Sequence, residues 1–404
     1  MKLYLSKSTA ARAGRAANTP ETPWVRFGEE TVFLVSDNAA PSRSAREIAP
    51  GKVKSKRQLF VVVQNGRLFQ QLYPRVPVLH DRGRYLLVKL DPTRARELKG
   101  KHKTCYDVLP LVENEAVFES VERGTSARAP VPFVQNLVNR IARGPFEASL
   151  VRLVTFPTRL STSPQFQQAL TFARTQLTGL GFTCRAQSIT VNGRASSNLI
   201  ADKVGTGAAA ARQVVIASAH LDSINLAGPT KPAPGADDNG TGSAGILELA
   251  RVFSTLSSTH DLRLILFGGE EQGLFGSTKY VASLSSAQRA KVRAIVNMDM
   301  IGSLNTTRPG VLLEGKAVSQ GVINKLSAAA ATYTGLEIET SLNAANSDHV
   351  PFLSAQMPAV LTIEGADSTN HNVHSANDTL DRVNFGLALE ILRMNAAFIA
   401  MEIK

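Results

Sequence analysis

Three short runs of this sequence are almost wholly apolar: Val214–Ser218, Leu262–Phe267 and Ala294–Met298. A stretch of helical spacing, Ser243–Leu256, lies between the first two. Strands that are apolar on both faces belong to a sheet covered by helices on both sides, so this part of the chain reads as α/β. Upstream, Ser163–Leu180 carries apolar residues at Phe166, Ala169, Leu170, Phe172, Ala173, Leu177 and Leu180 and stops near Gly181. That is the pattern of an amphipathic helix with a glycine stop. The apolar C-terminal stretch is interrupted by Glu390, Arg393 and Asn395 and reads as a core-facing helix, not a membrane span.

Each apolar run ends in titratable residues. His220-Leu221-Asp222 follows the first, Gly269-Glu270-Glu271 the second and Asp299 the third. Gly235-Ala236-Asp237-Asp238-Asn239-Gly240 opens the helix between the first two, and Ser347-Asp348-His349 and His374-Ser375-Ala376-Asn377-Asp378 come later. Open α/β sheets place their ligands at the C-terminal ends of strands. Taken singly, each cluster has an ordinary explanation as a helix cap, a turn or a satisfied strand-end histidine. Taken together they converge, and buried carboxylates that converge require a cation. Imidazole and carboxylate without thiolate suit zinc, with cobalt or manganese as substitutes. Two histidines and several carboxylates exceed what one catalytic zinc needs, so a bridged pair of ions is the natural solution.

The 404 residues are 43% hydrophobic and 19% charged, which excludes a disordered chain and leaves room for more than one domain. Two cysteines, Cys105 and Cys184, exclude a disulfide scaffold; they form one bridge or stay as thiols. Of the net charge of +12, about +11 lies within residues 1–150, in clusters such as Lys52–Arg57 and Lys99–Lys103. No nucleic-acid motif accompanies them, so a solvated basic face is expected and no nucleic-acid partner. Residues 1–23 lack the apolar core of a secretory signal and read as a mobile, solvated terminus.

The first ~130 residues look β-rich. Thr31–Val35, Leu59–Val63, Arg67–Tyr73 and Tyr85–Leu90 are read as strands, and Asn65-Gly66 as the turn of a hairpin. Residues 120–131 read as a linker.

The clusters resemble the zinc aminopeptidases of the M28 peptidase family, of the bacterial leucyl aminopeptidase type. The matching pieces run in the family's order over roughly residues 135–404 and include Ser197–Ile200, His220–Ser223, Gly235–Gly242, Gly269–Ser277, Met298–Gly302, Ser347–His349 and His374–Thr379. The resemblance implies a mixed, mostly parallel α/β sheet flanked by helices, with a catalytic domain over 131–404. It says nothing of residues 1–130, which charge and residue texture alone mark as a smaller basic, β-rich N-terminal domain of unassigned role. It implies two zinc ions per chain. Asp238 would bridge them, His220 and Asp299 would complete one set of ligands, and Glu271 and His374 the other. Glu270 would be general base and acid, and Asp222 would orient the His220 imidazole. Three carboxylates and one hydroxide would balance the charge of two Zn²⁺. The implied reaction is hydrolysis of the N-terminal peptide bond of peptides or proteins by a metal-bridged hydroxide. Related alternatives are a carboxypeptidase, a glutaminyl-cyclase-like enzyme and an inactive receptor-like module of the same fold. Where some relatives carry a cysteine pair or an aromatic hydroxyl, this chain has Asn343–Asn346 and Val373.

Overall fold

The computed structural model describes residues 1–7, 22–36, 45–48, 53–100 and 106–404. In the first third its strands are β1 (Lys2–Lys7), β2 (Trp24–Phe27), β3 (Glu30–Val35), β4 (Arg46–Glu47), β5 (Leu59–Gln64), β6 (Val78–Arg82), β7 (Tyr85–Lys89), β8 (Tyr106–Pro110) and β9 (Glu115–Val121). They continue as β10 (Thr183–Val191), β11 (Arg194–Lys203), β12 (Val214–His220), β13 (Asp261–Phe267), β14 (Val292–Met298), β15 (Gly310–Glu314), β16 (Glu337–Ser341) and β17 (Ala359–Glu364). A 13-stranded sheet runs in the order β10-β11-β13-β12-β14-β17-β15-β16-β9-β2-β3-β1-β4.

The three apolar runs are β12, β13 and β14. They lie side by side and parallel, with β17 parallel to β14 on the far side. Both faces are covered, because successive residues enter different cores. Val215, Ala217, Leu264, Leu266, Ala294 and Val296 pack with helices Pro164–Gly179, Gly242–Phe253 and Phe385–Ile403. Ile216, Ile265, Phe267 and Ile295 pack the other way, against Tyr280 of helix Phe275–Ser283 and Phe352 of helix His349–Ser354. Each of the Val, Leu, Ile and Phe side chains contributes roughly 1.5–3 kcal/mol on burial, which favours the packing that sets the ends of β12, β13 and β14 together. The expected helix at 163–180 begins where the Ser163 hydroxyl caps the Phe166 N–H.

The N-terminal third joins this sheet. Strand β9 pairs antiparallel with β16 through Ile338–Val121, and parallel with β2. A separate four-stranded antiparallel sheet, β6-β7-β5-β8, packs beside it. One core spans both parts, with Leu3, Phe27, Val61 and Tyr85 packed with Met300, Leu312, Leu361 and Ile363.

Three sequence expectations change here. Arg67–Tyr73 is not a strand, and Asn65-Gly66 does not close a hairpin: Leu68–Leu72 is a short helix. Both edges of β5 are already taken by β7 and β8, so no third partner fits. The Gln64 side chain instead accepts the Phe69 N–H at 3.2 Å, and Phe69 buries its ring against Tyr73 and Tyr106. The expected linker at 120–131 holds the end of β9 and a turn of helix, Arg123–Ser126. It is fastened to helix Gln320–Tyr333 by Arg128 N–H to the Thr332 hydroxyl and Val131 N–H to the Tyr333 hydroxyl, both at 2.9 Å.

Of the expected mobile terminus, residues 2–7 form β1, and 8–21 lie outside the described residues. Lys52, Lys101–Lys103 and Cys105 also lie outside them, while Cys184 is a half-buried free thiol. Among the described residues, no helix is long and apolar enough to cross a membrane.

Candidate active site

His220 ends β12, Asp299 follows β14, and Glu270 and Glu271 follow β13 across Gly268-Gly269. The acids at 237–238 enter from the turn before helix Gly242–Phe253, and His374 from the loop after β17. The turn depends on Gly235, whose φ is +52° and where a Cβ would stand 2.4 Å from the Asp238 carbonyl and 2.5 Å from Ser223.

All seven residues singled out from the sequence meet at this strand-end crevice, and all are buried. The Asp238 carboxylate lies between the two histidines. His220 Nε2 is 3.3 Å from Asp238 Oδ1 and 3.2 Å from Asp299 Oδ1. His374 Nε2 is 3.1 Å from Asp238 Oδ2 and 2.8 Å from Glu271 Oε2. Two sets of three result, His220–Asp238–Asp299 and Asp238–Glu271–His374, each with donor atoms within 4.8 Å of one another. Two imidazoles and three carboxylates converging in this way fit a divalent cation of the zinc type.

Asp237, next in sequence, turns away. Its oxygens accept Gly302 N–H at 2.8 Å, the Thr241 hydroxyl at 3.2 Å and the Asn370 amide at 3.0 Å. The peptide bond between Asp238 and Asn239 is cis.

Asp222 acts on two neighbours at once. Its backbone carbonyl accepts His220 Nδ1–H at 3.1 Å, with the carboxylate 3.7 Å from the same nitrogen. The two carboxylate oxygens accept the N–H groups of Glu270 and Glu271 at 3.4 and 3.3 Å. The residue therefore sets the imidazole through its main chain and the paired glutamates through its side chain.

The electrostatics follow from many acids in a dry place. Burial would raise the Asp238 carboxyl, but the hydrogen bonds to His220 and His374 outweigh it and hold Asp238 below the ordinary carboxylate range. Burial, with the neighbouring Asp238 charge, pushes Glu271 up to about 7. Burial also holds Glu270 well above its ordinary value, helped by the charges of Asp299 and Glu271. Burial alone would lower both imidazoles. The charges of Asp299 and Glu270 outweigh it at His220, and Glu271 and Asp238 do so at His374, so both are raised well above their ordinary value.

Supporting residues stand behind these groups that the sequence did not single out for such work. Ser347 donates to Asp299 Oδ2 at 2.6 Å. Asn239 donates to the Met298 carbonyl and accepts Gly242 N–H, both at 2.9 Å. Asp378 accepts the backbone N–H groups of Asp237 and Asp238. Arg159, fully buried, donates to the carbonyls of Leu221 and Gly235 at 2.8 Å. Asp378 lay within a quoted motif. No local signal marks Arg159.

A family model described as Peptidase family M28 matches residues 198–399, half of the chain, and spans all seven residues that meet in the crevice, though not Arg159. The chain belongs to peptidase family M28. Leupeptin-inactivating enzyme 1 of Streptomyces exfoliatus is 35% identical over 211 residues, covering 50% of this chain and 44% of that protein. Leucine aminopeptidase 1 of Aspergillus oryzae is 24% identical over 363 residues, covering 81% of this chain and 92% of that one. The chain thus spans under half the length of the first of these relatives. Among solved structures, the LapA aminopeptidase of Legionella pneumophila superposes with a TM-score of 0.62 at 17% identity, over 86% of this chain and 98% of that one. That likeness shows a shared M28 fold, and it extends beyond residues 198–399.

Proposed function

We propose that this chain is a zinc aminopeptidase that holds two ions and hydrolyses the N-terminal peptide bond of peptides or proteins. The observation that carries the reading is the Asp238 carboxylate, which offers one oxygen beside His220 and the other beside His374. His220, Asp238 and Asp299 would hold one ion, and Asp238, Glu271 and His374 the other. Ions bound there would supply an acidified water and polarisation of the scissile carbonyl.

Glu270 is then the general base and acid. Unlike its neighbour Glu271, it belongs to neither donor set. Its main chain is fixed by Asp222, and burial raises its proton affinity. A carboxyl so tuned accepts a proton from the attacking water and returns it to the leaving amine. The buried acids around it also favour a substrate's protonated α-amine, which selects chain ends over internal bonds.

The test pairs zinc content with hydrolysis of Leu-p-nitroanilide and of its N-acetylated form. The expected result is about two zinc ions per chain, turnover of the free amine alone, and loss of activity with chelator. Glu270→Gln should keep the zinc and lower kcat by roughly 10²–10⁴. Equal cleavage of the acetylated substrate would overturn the aminopeptidase reading, and full turnover by the variant would remove Glu270 from its role.

A further inference from the structure

Arg84 carries the N-terminal third into contact with two loops of the rest of the molecule. It follows Gly83 in the turn between β6 and β7 and is 3% exposed. Its guanidinium makes a forked contact with Glu314, Nε to Oε2 at 2.8 Å and Nη2 to Oε1 at 3.1 Å. Nη1 donates to Asp367 Oδ2 at 3.1 Å and Nη2 to the Ala345 carbonyl at 3.4 Å. Gly83 lets the chain come this close: its φ is +70°, and a Cβ there would stand 2.1 Å from the Ser368 hydroxyl.

The partners belong to two different loops. Glu314 ends β15 and accepts the Ala345 N–H at 3.1 Å, so it holds the loop at 342–348, whose Ser347 bonds Asp299. Asp367 lies in the loop at 365–374, whose Asn370 bonds Asp237 and which ends in His374. Glu314 and Asp367 are 0% and 1% exposed. Two buried carboxylates so near each other repel unless a cation stands between them, and removing one partner of such a group leaves an uncompensated charge.

We infer that Arg84 is a positioning residue, a clamp that sets the loop beside Asp299 against the loop that carries His374. Resting on the function proposed above, this makes the N-terminal third a working part of the site, not a removable cover. Contact surface alone would be served by apolar residues. A forked cation shared between two loops fixes their relative placement instead.

The test uses the full-length chain with Arg84→Lys, Arg84→Met and Asp367→Asn. Lysine keeps the charge but cannot fork, so Arg84→Lys should raise amide exchange at least tenfold in both 343–349 and 366–374 while β12–β14 stay protected. Zinc affinity, measured by chelator competition, should fall roughly 10–100-fold, with kcat reduced more than KM is raised. Asp367→Asn should loosen 366–374 and leave 343–349 unchanged, and it decides the matter if neither Arg84 variant folds. Unchanged loop exchange in a folded Arg84→Lys, or exchange raised equally throughout the protein, would overturn the clamp. So would equal loosening of both loops in Asp367→Asn. A wild-type chain without zinc or turnover would sink the aminopeptidase reading, yet the exchange data would still score the clamp.

Discussion

The Asp378 carboxylate accepts the backbone N–H of Asp238 at 2.9 Å, and with its other oxygen the N–H of Asp237 at 2.8 Å. It is 2% exposed, so no water replaces it. One side chain therefore fixes the main chain of the residue that stands between both histidines. Asp378→Asn keeps one acceptor and loses the other; Asp378→Ala loses both. Outer partners of metal ligands are worth roughly 10–100-fold in affinity, so zinc binding should fall about tenfold in the first variant and about 100-fold in the second. Chelator competition checks the order. Equal affinities in the two variants would contradict it.

Zinc removal should cost stability as well as activity. A ligand that binds only the folded state stabilises it by RT ln(1 + [L]/Kd), about 2.7 kcal/mol at 100 Kd. Here the effect would have a clear source, because a cation bound as proposed would separate acids that burial has crowded together. Unfolding in urea with excess chelator, then with buffered free zinc, measures it directly. A midpoint independent of zinc would remove these residues as its ligands.

Glu314 gives a pH dependence of known sign. Burial alone would raise its carboxyl, but the Arg84 charge and the bonds to His349 and Arg84 outweigh it and hold it below the ordinary carboxylate range. A depressed carboxylate stabilises the fold fully above its ordinary value of 4.5 and loses that contribution as pH falls toward its folded value. Glu314→Gln breaks a buried pair and should cost about 3–5 kcal/mol at pH 7. The gap to wild type should narrow below pH ~4.5, as Glu314 of the unfolded chain gains its proton while the folded carboxylate stays ionised. Denaturant unfolding across this range tests it, and a gap that stays constant would show that Glu314 is not depressed.

The candidate site was legible because several of its residues follow runs that only a covered sheet accommodates. His220, Glu271 and Asp299 could be placed on strand ends by reading the apolar texture of β12, β13 and β14. The outer hairpin of β10 and β11 was not legible, because its residues mix polar with apolar and their exposure follows no clean period, irregular in β10 and continuously buried only over Asn198–Ala201 in β11. Arg84 was hidden for a different reason. Its partners Glu314 and Asp367 lie 230 and 283 positions away, and nothing local separates a buried arginine from a solvated one. Asn65-Gly66 misled because turn chemistry is local, whereas the free edge that a hairpin needs is decided by β7 and β8. Asp222 lies beside His220, as its place two residues on suggests, but its side-chain bonds to the Glu270 and Glu271 amides depend on how β12 and β13 end together.

Arg159 offers a way to separate charge from geometry at this site. It is fully buried and donates to four carbonyls, those of Leu153, Leu221, Pro234 and Gly235. Burial lowers its proton affinity to about 10, with Asp378, Asp222 and Asp238 opposing the fall, so it is a cation at neutral pH. The carbonyls of Pro234 and Gly235 belong to the turn that delivers Asp238, so the guanidinium braces that turn while its charge faces the acids. Arg159→Met removes both effects. Carbonyls left without donors cost about 1–3 kcal/mol each, so a loss of at least ~3 kcal/mol is expected. Arg159→Lys keeps the charge but not the planar fork that reaches several carbonyls at once. If the brace dominates, lysine recovers less than half of the lost stability and zinc affinity stays low. A lysine variant within ~0.5 kcal/mol of wild type would instead mean that a buried positive charge is all this position supplies.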